Sequence, residues 1–115
     1  MTLPLWAAQP QRAPLPGGDS VLDDLITAPA PLPMGVVEAL AVRSKAGEAK
    51  YGSPLRARNG RSPEVDYAQE QLDATVYAWQ AAMEAPTRRR RWAWRVLSVV
   101  AGWSAWAAWW LGGER

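Results

Sequence analysis

The stretch RRRRWAWRVLSVVAGWSAWAAWWLGG, Arg88 to Gly113, limits this chain more than any other. From Val96 to Gly113 about eighteen residues carry no charge, the lower end of what spans a hydrocarbon core as a helix. Trp92 and Trp94 stand at one end and Trp109 and Trp110 at the other, about 27 Å from first to last at a rise of about 1.5 Å per residue. Two aromatic belts at that spacing are what a spanning helix anchored by these four tryptophans would show. Four arginines precede the run and only Glu114 and Arg115 follow it, which orients the N-terminal part toward the cytoplasm. Two small-xxx-small pairs, Ser98 with Gly102 and Ala101 with Ala105, suit self-association within a membrane. A second pattern runs through the same residues. Trp92, Val96, Val99, Trp103, Trp106 and Trp110 follow a 3,4 spacing, as in the buried seam of a soluble helix. The opposite face, with Leu97, Ser98, Ala101, Gly102, Ala105 and Ala108, lacks the charges a soluble helix would need. The expectation is therefore a transmembrane helix over 96–113.

A chain of 115 residues allows one modest domain. About 40 of these residues look unable to join a core, so the folded part is small or completed by a partner. The net charge of +2 and pI near 9.4 sit largely in Arg88–Arg91 and Arg95. Because these adjoin an apolar run, they read as a membrane flank and no nucleic-acid partner is expected. Cys and His are both absent. That excludes disulfides, thiolate or imidazole metal sites and nucleophiles activated by a histidine base, leaving carboxylates and hard cations for any metal chemistry.

Residues 1–33 hold prolines at 4, 10, 14, 16, 29, 31 and 33 and read as an extended or disordered arm. One short helix, VLDDLIT, is capped by Asp19 or Ser20. The segment 34–85 carries two helices. The first runs from Met34 to about Tyr51, places Val37, Leu40, Ala41, Ser44 and Tyr51 on one side, and is stopped by Gly52, Ser53 and Pro54. Ser62 as N-cap, Pro63 in the first turn, and Glu64 and Asp66 beside it start the second, which ends near Glu84 before Pro86. Along it Val65, Leu72, Val76, Trp79 and Met83, with Ala68, form a stripe expected to pack, while Asp66, Glu70, Asp73 and Tyr77 form a second, acidic stripe. Residues 86–95 read as a basic linker to the anchor.

The sequence RSKAGEAKYGSPL, then NGR, then VDYAQEQLDATVYAWQ, resembles the short phage-encoded members of the MazG-like all-α nucleotide pyrophosphohydrolases. The matching positions are Lys50, Tyr51 and Gly52, then Asn59, Gly60 and Arg61, then Glu70 and Asp73 with Tyr77 beyond, within residues 36–83. The resemblance implies a helical head completed by homo-oligomerisation. It also implies a Mg²⁺ (or Mn²⁺) ion bound by Glu70, Asp73 and Glu48, and hydrolysis of a nucleoside triphosphate to the monophosphate and pyrophosphate. Glu70 and Asp73 would be catalytic, with Lys45, Lys50 and Arg61 on phosphate oxygens. Glu70 and Asp73 at i, i+3 do project from one side of a helix, as paired ligands of a hard cation must. The chain departs from the family in two places. The first helix has only Glu38 and Glu48 where an acidic cluster is usual, and Gln69 replaces a second acid next to Glu70. The expectation is a membrane-tethered hydrolase. The alternative is a non-enzymatic membrane or interaction protein, such as a phage lysis or envelope protein, in which the helical pair serves for docking.

Overall fold

The computed structural model describes residues 2–15, 17–27, 32–52 and 55–112. Ser53 and Pro54, expected to help end the first long helix, lie outside them. So do Pro16, Pro29 and Pro31 of the arm, and Gly113, Glu114 and Arg115. The described residues form five helices and no strand: α1 (Leu3–Ala8), α2 (Val21–Thr27), α3 (Met34–Tyr51), α4 (Pro63–Glu84) and α5 (Arg88–Gly112). Two compact units divide them, one made of Met1–Gln11 with Ser62–Arg115, the other of Arg12–Arg61.

In the first unit α4 and α5 form a hairpin. Ser62 accepts from the Val65 N–H at 3.3 Å and Pro63 occupies the first turn, where its missing donor costs nothing. Pro86 separates the helices, and Thr87 caps the second by accepting from the Arg90 N–H at 3.2 Å. Helix α5 thus begins at Arg88, so the residues read as a basic linker over 86–95 are largely its first two turns. The helices meet along a seam of small residues. Ala68, Ala78 and Ala82 are buried on α4, and Ser98, Ala101 and Ala105 on α5. The Ser98 hydroxyl donates to the Thr75 carbonyl at 2.7 Å, and the hydroxyls of Tyr67 and Ser104 are hydrogen-bonded. Small side chains let two helices approach toward the near end of the usual ~8–10 Å axial separation.

This seam corrects two expectations. The small-xxx-small pairs of α5 face α4 of the same chain and are occupied within the monomer. The α4 stripe expected to pack does so only in part: Val65 is buried, whereas Val76, Trp79 and Met83 are exposed. The expectation of a spanning helix over 96–113 is not met either, since no helix of the described residues is long and apolar enough to cross a membrane. Helix α5 has the length, 25 residues, but five arginines fall in its first eight positions and Ser98, Gly102, Ser104 and alanines dilute the rest. Its six tryptophans carry a polar N–H as well as an apolar ring.

The arm is not simply extended. Thr2 caps α1 by accepting from the Leu5 N–H at 3.4 Å, and Pro4 falls in the first turn, the one part of a helix that tolerates it. Helix α1 is held because Trp6 is buried against Val65 and Ala68, with Leu3, Ala108 and Trp109 around it. Gln69 fastens its far end: the side-chain amide donates to the carbonyls of Trp6 at 2.8 Å and Gln9 at 2.7 Å.

In the second unit α2 and α3 pack together, and Leu15 and residues 17–21 lie antiparallel to 55–59. Leu15 N–H donates to Asn59 O at 2.7 Å, Gly18 N–H to Ala57 O at 2.7 Å, Val21 N–H to Leu55 O at 3.0 Å and Ala57 N–H to Asp19 O at 2.9 Å. The disordered reading of this part of the arm is thereby corrected, because its backbone groups find partners in the RARNG loop. Gly52 ends α3 in the left-handed conformation at φ 80°, its N–H on Glu48 O at 2.7 Å.

Candidate functional site

Of the residues the sequence singles out, Glu70 and Asp73 lie on α4 in the first unit, exposed and one turn apart. Lys45, Glu48 and Lys50 lie on α3 in the second unit, and Arg61 in the loop that closes it. All three α3 side chains are exposed. The Lys50 ammonium lies 5.1 Å from the centroid of the Tyr51 ring. Arg61 is engaged structurally: its guanidinium donates to the Arg12 carbonyl at 3.0 Å and its backbone N–H to the Asn59 side chain at 3.1 Å. Buried Asn59 is therefore a loop organiser, as its Asn-Gly-Arg setting allows.

Among the described residues no three acidic side chains stand together as ligands of a metal ion. Glu70 and Asp73 supply two carboxylates from one exposed turn, too few for a cage of protein oxygens but the number from which Mg²⁺ is held when waters and substrate phosphates complete its coordination. The neighbouring Gln69 has a structural reason to be neutral. A carboxylate there could not donate to the Trp6 and Gln9 carbonyls that the amide holds.

The feature with the most unusual physical chemistry is the outer side of α5. The small face of this helix is buried on α4, so the heptad-spaced residues Trp92, Val96, Val99, Trp103, Trp106 and Trp110 point away, and all six are exposed. Trp103, in the middle, is 68 % exposed. Trp106 packs on Trp109 with ring centroids 4.7 Å apart. Of the four tryptophans read as membrane anchors, Trp92, Trp94 and Trp110 are exposed and Trp109 is half-buried beside the Trp6 cluster. At the start of α5, Arg88, Arg89, Arg91 and Arg95 surround a shallow concavity with Trp92. The Arg95 guanidinium also lies 5.4 Å over the Trp79 ring of α4, a cation–π contact. Four arginines in a helix's first turn repel one another and oppose the positive end of the macrodipole. No acidic residue offsets them within that turn.

The heptad spacing is visible in the sequence. What the sequence did not reveal is that these residues face outward, because that depends on α4 claiming the alanine face. Trp6 was also missed: its only signal is a lone aromatic between prolines. Compared with known proteins, the chain matches no family model, and no curated protein or solved structure is significantly similar to it.

Proposed function

We propose that the protein works by association and not by catalysis, as an interaction protein whose working surface is the aromatic face of α5. The observation that carries this reading is the division of α5: its small face is spent on α4 while a line of tryptophans and valines is displayed along the opposite side. Monomeric soluble proteins rarely expose contiguous apolar patches of more than a few hundred Å², and larger ones mark sites of protein or membrane interaction. Helix α4 then acts as a brace that holds α5 straight and keeps its aromatic face outward.

The test is to follow the association state, and flotation with vesicles of phosphatidylcholine and phosphatidylglycerol, for the wild type and Trp103→Glu. Expected is association that Trp103→Glu removes while helicity is retained; a wild type that stays monomeric and unbound to vesicles at every concentration would count against the reading.

A second reading, the nucleotide hydrolase, is favoured by Glu70 and Asp73 standing exposed one turn apart within the segment that resembles the MazG-like enzymes. Pyrophosphate release from a panel of nucleoside triphosphates with Mg²⁺ or Mn²⁺ decides it. Hydrolysis that disappears in the Glu70→Ala, Asp73→Ala double variant would replace the association reading with the enzymatic one.

A further inference from the structure

We infer that the aromatic face of α5 is covered by a second copy of this chain, the two α5 helices lying antiparallel. The inference rests on the association reading above and adds its occupant and geometry. It concerns a face outside the segment 36–83 that carries the family resemblance.

Three observations converge on it. The first is spacing. Residues 92, 96, 99, 103, 106 and 110 alternate steps of four and three, the repeat that keeps a seam aligned with the same seam of another helix. A bilayer surface asks only for an apolar side and imposes no such repeat.

The second is area. Taking about 200 Å² for each tryptophan, and weighting by their exposure, the six side chains offer roughly 600 Å² on one copy, approaching the ~800 Å² per partner of a standard interface. Flanking Leu97, Val100 and Leu111, all exposed, extend the patch.

The third is charge. The arginines Arg88–Arg91 and Arg95 gather at the start of α5. Of the acids on α4, Glu64 and Asp66 stand in its first turn, beside the end of α5, where Gly112 abuts Glu64, whereas Glu70 and Asp73 lie toward the middle, between the levels at which Tyr67 meets Ser104 and Thr75 meets Ser98. The hairpin therefore has a basic end and an acidic end. A parallel pair would bring two arginine clusters together. An antiparallel pair separates the two clusters, brings each to the end of the partner that carries Glu64 and Asp66, and opposes the two α5 macrodipoles.

The chain contains no cysteine, so single labels can be placed freely. Spin labels on Val100→Cys and, separately, Arg89→Cys report orientation in the full-length protein, with the association state measured in parallel at rising salt. Near the centre of the seam, the Val100→Cys pair is expected to be close. The Arg89→Cys pair is expected at roughly 35 Å, twice the twelve-residue offset from the seam's midpoint at about 1.5 Å per residue. Association should weaken with salt, and Trp103→Glu should weaken it roughly 30-fold or more. Short distances at both positions would mean a parallel pair and would overturn the antiparallel geometry while leaving association intact. A chain that stays monomeric but floats with anionic vesicles would overturn the second copy as occupant. Neither result depends on whether nucleotides are hydrolysed.

Discussion

Helices α3 and α4 differ little in length, 18 against 22 residues, but α3 buries no residue and α4 buries four. Both are bounded by local signals, a left-handed glycine at the end of α3 and a serine cap with proline at the start of α4. The difference lies in their neighbours. Helix α4 has a long partner with a matching line of small residues, whereas α3 packs on the seven-residue α2. Where a helix begins and ends is thus set locally, whereas burial is a property of pairs. The same contrast recurs within α5, where one face is buried because α4 matches it and the other is exposed because nothing in the described chain does.

The contrast can be broken most forcefully at Trp6, the large side chain at the centre of the first unit's core cluster and 6 % exposed. Trp6→Ala should cost about 3 kcal/mol or more in denaturant unfolding. Trp103→Ala, on the exposed face, should change monomer stability by less than about 0.5 kcal/mol. Next in size is Ala105→Leu. Ala105 is fully buried in the seam, and a larger side chain would push α4 and α5 apart at a cost of about 2 kcal/mol. Gln69→Glu should cost about 1–2 kcal/mol, since it removes both donors to the Trp6 and Gln9 carbonyls, and it should loosen α1 as seen by the fluorescence of Trp6.

Smaller changes sharpen the comparison. A Cβ on Gly102 would meet only Thr75, at 3.7 and 3.8 Å, and one on Gly35 or Gly47 of α3 would meet nothing within 4 Å. Alanine at each should therefore stabilise by about 0.5–1 kcal/mol through helix propensity, measured as a rise in Tm. Hydrogen exchange should show amides of α3 opening at lower free energy than those around Ala78 and Ala82, because few apolar contacts hold α3 closed. Equal protection of the two helices would remove the physical meaning of their different burial.

The acidic pair was legible because Glu70 and Asp73 are three apart on one well-signalled helix. Its proposed companions were not resolvable in the same way: Glu48, Lys45, Lys50 and Arg61 come from a separate compact unit, and helical spacing carries no information across a loop. Arg61 and Gln69 show the same limit from the other side. Their types suggested phosphate contact and a missing ligand, whereas their bonds run to backbone carbonyls distant in sequence.

By itself the sequence determined where α2, α3 and α4 begin and end, because caps, prolines and glycines act within a turn of the chain. It also determined that α5 has two contrasting faces, one of tryptophan and valine and one of alanine, glycine and serine. Only the tertiary structure decided which face is inside. The tryptophan stripe has the greater hydrophobic drive, but the alanine stripe lets two helices come close along their length, and α4 offers Ala68, Ala78 and Ala82 to meet it. Periodicity reveals that a helix has a side to bury; the identity of the partner, and whether it lies in the same chain, is settled by fit in three dimensions.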